Sequence, residues 1–313
     1  MTPHPSLPIL SRRSFSIAML TLVSATGLNT AFGAQPPAAP AVEQKQLTTG
    51  DGWLISVEYY SQPGMQDAPV IMIVHGENSN ALAWKNDYGK TLQELGYAVV
   101  IVDLRMHGNS KTTVNGQKFD TTDLRPNQYP NMAGFDLEAV KNFLLDEHQK
   151  KNLNVRKLGI IASDMSVPIA LAFAELDWNK LPYDDAPTAM MRTPRGQDVH
   201  AIAMISPIMQ LPGVNANVSL RGLTAPVRQI AFFSAYGTQD TATVKQAERL
   251  DKVLQAHQEN KARVVLKQYD SNLNGVALAT RTPQLKKDLI EFFDKNLMKY
   301  DVLWQDRRSR LSR

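Results

Sequence analysis

Seven short runs rich in apolar and β-branched residues recur along the chain, separated by amphipathic stretches with helical periodicity. Several runs, such as 69–74 and 97–102, contain no alternating polar residues, which is typical of parallel strands covered on both faces. The predicted strands are 53–60, 69–74, 97–102, 157–162, 201–205, 230–234 and 262–268. The predicted helices are 82–95, 135–148, 167–176, 243–257 and 283–298. This alternation predicts one α/β domain with a mostly parallel central sheet of about eight strands.

The net positive charge of the chain comes from its two ends. The 313 residues include 34 Lys and Arg and 30 Asp and Glu, which gives a net charge of +4. Arg12 and Arg13 lie near the N-terminus, and four more arginines lie within 306–313. The body between them is nearly neutral and gives no electrostatic footprint for nucleic acid, so no nucleic-acid partner is expected. The sequence contains no cysteine, which excludes disulfides, thiolate metal sites and a Cys nucleophile.

The N-terminal segment 1–34 has the organisation of an export signal. Arg12 and Arg13 precede an apolar run at 17–25, and small residues follow near Ala34. This order indicates a signal peptide, and the adjacent arginines resemble a twin-arginine signal. An ordinary secretory signal and an uncleaved anchor are the alternatives. We expect an exported protein that resides in the periplasm or outside the cell.

Two segments are predicted to flank the folded domain, which we expect to span 46–300. Residues 35–45 are predicted to form an extended Pro/Ala-rich linker. Residues 301–313 form a basic tail. The arginines of this tail indicate either a solvated segment or a weak contact with a membrane or another polyanion.

Polar motifs follow the carboxyl ends of four predicted strands, where ligands bind in open α/β sheets. The motifs are His75-Gly76-Glu77, Asp103-Leu104-Arg105-Met106-His107-Gly108-Asn109-Ser110, Ser163-Asp164-Met165 and Gly237-Thr238-Gln239-Asp240. Their order and spacing over 50–298 resemble the α/β-hydrolase superfamily, in particular its esterase and monoacylglycerol-lipase-like (serine-aminopeptidase-like) branch. The resemblance implies the α/β-hydrolase fold, with helices on both faces of the sheet and a minimal cap.

The resemblance also locates three catalytic positions, and two of them carry altered residues. The superfamily has its Ser nucleophile at a strand-to-helix elbow, where this chain has Asp164. The acid position matches Asp240, and the position of the His base matches Asn274. An amide cannot accept a proton near neutral pH, so the general base is lost.

The oxyanion hole implied by the resemblance consists of the backbone amides of Glu77 and Met165, with His75 and Gly76 shaping the loop. The carboxylates of Glu77 and Asp164 would add negative charge where an oxyanion forms, which opposes acyl transfer. His75 and His107 follow strands at the binding edge and are the two histidines considered as substitute bases. The competing interpretation is that they bond the backbone of their loops.

The segments 177–199 and 207–226 are predicted to form a short rim over the carboxyl edge of the sheet. The first segment carries aromatic and methionine side chains, among them Trp178, Met190 and Met191. These side chains indicate either the lining of an apolar pocket or simple packing.

Three functions remain open from the sequence. In the first, the chain is a catalytically degenerate exported homologue that binds a small molecule or a partner. Alternatively, it is an active hydrolase of ester, epoxide or halide bonds that uses Asp164 as nucleophile with an unconventional base. The third possibility is a structural cell-envelope protein. No cofactor is expected, and no metal is expected because no ordered ligand spacing selects one.

Overall fold

A computed structural model describes residues 40–256 and 258–312. The predicted signal peptide, His4 and His257 lie outside the described residues. The strands are β1 Val42–Thr48, β2 Trp53–Tyr60, β3 Val70–Val74, β4 Ala98–Val102, β5 Thr112–Thr113, β6 Leu158–Ser163, β7 Val199–Ile205, β8 Gln210–Leu211, β9 Val214–Asn215, β10 Ala231–Gly237 and β11 Val264–Tyr269. The α-helices of the described residues are α1 Leu82–Trp84, α2 Lys90–Glu94, α3 Gln128–Asn131, α4 Leu137–Gln149, α5 Ser166–Asn179, α6 Ala216–Leu223, α7 Val244–Gln255, α8 Gly275–Arg281 and α9 Pro283–Phe293. None of these helices is long and apolar enough to cross a membrane.

The central sheet confirms the predicted mostly parallel architecture. Its eight principal strands lie in the order β1-β2-β4-β3-β6-β7-β10-β11, and the short β5 pairs with β2. Strands β3, β4, β6, β7, β10 and β11 are parallel to their neighbours within this group, whereas β1 and β2 pair antiparallel at one side. The carboxyl ends of the six parallel strands therefore meet at one edge, where the sequence motifs converge.

Helices cover both faces of the sheet, as the uninterrupted apolar strands predict. Val70, Met72 and Val74 of β3 point into one buried cluster, which includes residues of α4 and α5. Ile71 and Ile73 point into a second cluster, which includes residues of α2, α8 and α9. Successive side chains of a strand face opposite sides, so a parallel strand that is buried on both faces needs apolar residues at nearly every position.

Strand β1 begins inside the segment predicted as a linker and extends beyond it. It begins at Val42 and pairs with β2 from Val42 opposite Tyr60 to Thr48 opposite Leu54. Most of its side chains are exposed, so its sequence lacks the apolar run that indicated the other strands. The linker prediction for 35–45 is therefore wrong from Val42 onward.

The predicted rim over the carboxyl edge is wrong for its first segment. Helix α5 starts at the carboxyl end of β6, runs back along the sheet and ends at Asn179, and β7 starts at Val199. The connection between them, 180–198, therefore lies at the amino edge, opposite the motifs. The segment after β7 does follow a carboxyl end, and it contains β8, β9 and α6.

The basic C-terminal segment packs onto the domain. We call residues 301–312 the C-terminal strap. His148 Nε2 contacts the Gln305 carbonyl at 2.8 Å, and Trp304 Nε1 donates to the His148 carbonyl at 3.0 Å. Arg307 is buried and pairs with Asp198 at 2.8 Å. The interpretation of the tail as a solvated segment is therefore wrong for this part of it.

A fully buried ion network anchors the C-terminal strap. Lys141 of α4 pairs with Asp177 at 2.6 Å and with Asp198 at 2.8 Å, and all three side chains are inaccessible to solvent. Arg307 joins through Asp198 and also donates to the Gly196 carbonyl at 2.7 Å. Two cations and two anions compensate one another here, as buried charges require.

Candidate active site

Asp164 lies at a sharp turn between the end of β6 and the start of α5. Its backbone φ of +39° is in the left-handed region, which strains a non-glycine residue by about 1–3 kcal/mol. Ser166 ties the turn to the sheet, since its Oγ donates to the Val74 carbonyl and accepts from the Ser163 N–H, both at 2.9 Å. The Ser166 hydroxyl is thus engaged inside the elbow.

The Asp164 carboxylate occupies the predicted oxyanion hole. Its Oδ1 accepts a hydrogen bond from the backbone N–H of Glu77 at 2.9 Å and another from the backbone N–H of Met165. These two amides are the donors that the resemblance assigned to the hole, and they converge on one oxygen. In acyl transfer, such donors stabilise the oxygen of the reacting carbonyl. Here a side chain of the protein itself satisfies them.

Two glycines form a slot around the second carboxylate oxygen of Asp164. A Cβ atom on Gly76 would lie 1.8 Å from Oδ2, and one on Gly275 would lie 2.6 Å from it. Gly275 also has a φ of +48°, and its N–H donates to Ser206 Oγ at 2.9 Å. Both loops approach the elbow this closely because neither position carries a side chain. Gly76 is among the predicted site residues, whereas Gly275 is not, because its only signal in the sequence is its place after Asn274.

The environment of Asp164 disfavours its charged form. Burial raises the pKa of the Asp164 carboxyl, and the nearby Glu77 carboxylate raises it further, while the hydrogen bonds from Met165 and Glu77 oppose both effects. No lysine or arginine lines the adjoining cavity to compensate the charge. The site is therefore acidic, with a carboxylate held by backbone dipoles alone.

A cavity of about 280 Å³ opens beside Asp164. Its lining residues are Glu77, Asn78, Ser79, Asp164, Met165, Ile208, Thr243, Asn274, Gly275, Val276 and Ala277. The structure thus brings four of the predicted site residues together around one space: Glu77, Asp164, Met165 and Asn274. Within the described part of the chain, no group of three or more His, Asp and Glu side chains is placed to hold a metal ion.

Asn274 lies at the cavity without a described side-chain hydrogen bond to the other two predicted catalytic positions. It is exposed and occupies the N-cap position of α8, but its side chain forms no capping hydrogen bond. Among the described contacts, its side chain forms no hydrogen bond with Asp164 or Asp240. Its backbone carbonyl accepts from the Leu278 N–H at 3.0 Å. Asn274 therefore provides a polar wall for the cavity and no proton acceptor.

Asp240 is occupied in its own loop and does not line the cavity. Its carboxylate accepts from the Ala242 N–H at 3.1 Å and from the Thr243 hydroxyl. Its backbone carbonyl accepts from the Val244 N–H at 3.0 Å. Asp240 thus holds the entry to α7, and Thr243 is the residue that reaches the cavity. This bracing role is the one that the absence of an imidazole predicts.

His75 cannot serve as the missing base. Leu104 N–H donates to its Nε2 at 3.1 Å, so the proton of the neutral ring lies on Nδ1, which contacts the Gly76 carbonyl at 2.7 Å. The ring is fully buried. Burial, together with the neighbouring His107, lowers the pKa of His75 to about 3. The loop-bonding interpretation is therefore the correct one for His75.

His107 also belongs to the loop and not to the cavity. Its Nδ1 contacts the Arg105 carbonyl at 2.9 Å, and its ring centroid lies 4.9 Å from that of His75. Burial lowers the pKa of His107. The remaining described histidines, His148 and His200, lie away from the cavity: the first contacts the C-terminal strap and the second packs against Trp178 near the start of β7.

The motif after β4 acts as a structural brace. The Asp103 carboxylate accepts from the Ala81 N–H at 2.7 Å and from the Asn109 N–H at 2.9 Å. Arg105 is buried and pairs with Asp51 at 2.7 Å and with Asp136 at 2.6 Å. These contacts join the loops after β3 and β4 to α4. The sequence carries no signal for the roles of Asp51 and Asp136, because both are distant in sequence from the motif.

Comparison with known proteins gives similarity in structure but not in sequence. No protein-family model and no curated sequence matches the chain. An esterase of Pyrococcus furiosus superposes with a TM-score of 0.56 at 17% identity over 82% of this chain and 92% of that one. A dienelactone hydrolase of Anabaena variabilis superposes with a TM-score of 0.54 at 15% identity, over 82% of this chain and 99% of that one. The thioesterase domain of a curacin biosynthetic pathway superposes with a TM-score of 0.52 at 13% identity, over 80% of this chain and 99% of that one. The chain has the α/β-hydrolase fold.

Within the α/β-hydrolase fold, the elbow after β6 and the loops after β3 and β11 form the site described above. The similarity covers four fifths of the chain and nearly the whole length of each neighbour. The activities in those names belong to those proteins, because identities of 13–17% establish the fold alone.

Proposed function

We propose that this protein is an exported, catalytically degenerate homologue of the α/β-hydrolases that binds a small molecule in the cavity beside Asp164. The observation that carries the proposal is the Asp164 carboxylate in the oxyanion hole, hydrogen-bonded to the amides of Glu77 and Met165. A substrate carbonyl would have to displace this carboxylate, and its developing negative charge would be repelled by it.

Two further requirements of acyl transfer are also missing. The elbow carries no hydroxyl nucleophile, and the described residues place no imidazole at the cavity. A triad without nucleophile and base retains only binding and orientation. Since Asp240 is already bonded to Ala242 and Thr243, it does not substitute for either.

The cavity chemistry favours a small ligand with hydrogen-bond donors or a positive charge. The carboxylates of Glu77 and Asp164 face no basic residue in the lining, while Ile208 and Val276 supply an apolar wall. The volume of about 280 Å³ lies near the lower limit for small-molecule sites. We therefore infer a compact, amphipathic ligand.

The test is a hydrolysis assay with p-nitrophenyl esters of several chain lengths. The chain beginning at Gln35 and its Asp164→Ala and Asp240→Ala variants should all show the same background rate, because none assembles a triad. Turnover by the unaltered chain that either substitution abolishes would refute degeneracy.

Export is supported by the sequence of residues 1–34, with its adjacent Arg12 and Arg13. Fractionation of cells that express the full chain tests it. Replacing both arginines by lysine should retain the protein in the cytoplasm, whereas an unchanged periplasmic or secreted pool would contradict a twin-arginine route.

A second candidate function is supported by the orientation of Asp164. Its Oδ1 is fixed by two amides, while Oδ2 accepts no hydrogen bond from any described residue. A carboxylate oxygen held in this way can attack an alkyl carbon, with formation of a carbon–oxygen ester bond. A halide then leaves with the electron pair, whereas an epoxide opens with the electron pair on its oxygen, which takes a proton from water. Without a base to activate water, the ester would persist.

Mass spectrometry distinguishes this candidate from a binding function. After incubation with an alkyl halide, the peptide that contains Asp164 should gain the mass of the alkyl group less one hydrogen, and after incubation with an epoxide it should gain the mass of the whole epoxide. The corresponding peptide of Asp164→Asn should gain neither. An unmodified peptide across a broad panel of electrophiles would eliminate the candidate and leave the binding function standing.

A further inference from the structure

The most exposed apolar side chains of the described residues cluster at one edge of the molecule. Five large apolar side chains expose 75–98% of their area, more than any other described residue of this kind. These residues are Leu181, Met190, Val227, Leu303 and Leu311. Leu181, Met190 and Val227 lie in segments that precede a parallel strand, which places them at the amino edge of the sheet. Leu303 and Leu311 lie in the C-terminal strap, whose contacts bring it to the same edge.

The contacts of these segments place them side by side. Leu181 and Met190 lie in the connection from α5 to β7, and Val227 lies just before β10. Arg228, next to Val227, donates to the Asn179 side chain at 2.8 Å. The turn before β10 therefore adjoins the start of the α5–β7 connection.

The C-terminal strap completes the same surface. The Leu303 carbonyl accepts from Arg156, just before β6, at 2.8 Å. The Arg310 N–H donates to Asp185 Oδ2 at 2.9 Å, which brings the end of the strap to the α5–β7 connection. We call these five residues and the segments that carry them the amino-edge surface.

Basic residues predominate in five segments at or beside the amino edge of the sheet, three of which carry the apolar residues. Twelve Lys and Arg and six Asp and Glu occur in the segments 62–69, 150–157, 180–198, 224–230 and 299–312. Arg195 and Arg310 are exposed among the apolar side chains. The carboxyl edge has the opposite character, since Glu77 and Asp164 lie there without a basic residue in the cavity lining.

We propose that the amino-edge surface docks peripherally on a membrane that contains anionic phospholipid. Exposed leucine and methionine side chains enter the boundary of the acyl chains, and arginines pair with lipid phosphates. A second copy of the chain would present the same positive charge, so charge complementarity favours the lipid over self-association. In this orientation the Asp164 cavity, at the opposite edge, faces away from the bilayer. The inference does not depend on the proposed binding function.

Vesicle co-sedimentation tests the proposal with the chain that begins at Gln35, because residues 37–313 form a compact unit of their own. Binding should be stronger to vesicles that mix phosphatidylcholine and phosphatidylglycerol than to phosphatidylcholine alone, and added salt should weaken it. The variant Met190→Ser/Val227→Ser/Leu311→Ser should weaken binding about tenfold or more. Arg195→Glu/Arg310→Glu should cause a similar loss, confined to the anionic vesicles.

The matched control replaces exposed apolar residues outside the amino edge. Leu82 and Val114 are 68% and 52% exposed and follow the carboxyl ends of β3 and β4. Leu82→Ser/Val114→Ser should leave vesicle binding within about twofold of the unaltered chain. The proposal is overturned by equal binding to neutral and anionic vesicles, by an equal loss in the control, or by concentration-dependent self-association in place of vesicle binding.

Discussion

At the scale of single residues, Asp164 determines what the site can do. A serine at this elbow would present a hydroxyl to a carbonyl, whereas the longer, charged side chain reaches the amides of Glu77 and Met165 itself. The sequence could predict that Asp164 and Asn274 lie at the same site, because both stand inside recognisable motifs, and both line the cavity. It could not predict the self-filled hole, since nothing in a motif states which rotamer the aspartate adopts.

The raised pKa of Asp164 predicts a pH-dependent effect of Asp164→Asn. An acid with a raised pKa holds its proton more tightly in the folded state, so the stability it contributes is present at low pH and is lost as pH rises through that pKa. The free energy of unfolding in urea should therefore increase for Asp164→Asn relative to the unaltered chain as the pH rises from below 3.8 to neutrality. Asp301→Asn, at an exposed side chain, is the control, and parallel profiles for Asp164→Asn and the unaltered chain would contradict the assignment.

At the scale of elements, the site depends on how closely three loops meet. The loops after β3 and β11 contact the elbow through Gly76 and Gly275. Strand identities were predictable because fully buried parallel strands need apolar residues at every position. Strand β1 was not, because it lies at the side of the sheet with mostly exposed side chains. The rim prediction for 177–199 rests on the aromatic and methionine side chains of the segment, which do not indicate at which edge it lies. The edge is set by α5, which runs from the carboxyl end of β6 to the amino edge.

The close approach of the loops predicts a coupled effect of Gly76→Ala and Asp164→Ala. A Cβ on Gly76 would meet Asp164 Oδ2 at 1.8 Å, so Gly76→Ala should lower the free energy of unfolding by about 1–3 kcal/mol. In the Asp164→Ala background the same change should have a smaller effect. Gly134→Ala is the control, since no atom lies within 4 Å of its Cβ position. If the two substitutions have additive effects on the free energy of unfolding in urea, the close contact between Gly76 and the Asp164 side chain is contradicted.

At the scale of the whole molecule, the two edges of the sheet have opposite chemistry. The body is nearly neutral in sequence, and only the topology reveals that the amino-edge segments carry an excess of basic residues while the cavity is lined by two acidic residues and no basic one. The sequence also carries no sign that the C-terminal strap packs onto the domain. Arg307 and Asp198 are separated by 109 residues, and no local pattern signals such a pair.

The buried strap predicts that Arg307 stabilises the domain. Arg307→Ala leaves Asp198 with Lys141 as its remaining cationic partner and should lower the free energy of unfolding by about 3–5 kcal/mol. Arg310→Ala, at an exposed side chain of the same segment, should change it by less than about 0.5 kcal/mol. Chemical denaturation measures both, and equal small effects would mean that the strap is solvated.

The occupied oxyanion hole is tested most directly by the amide proton resonances of Glu77 and Met165. In the unaltered chain, both resonances should lie downfield and should move together as Asp164 titrates, because one carboxylate oxygen accepts from both amides. In Asp164→Ala both should move upfield and lose this titration. Resonances that neither titrate nor respond to Asp164→Ala would show that the hole is empty and would contradict the account.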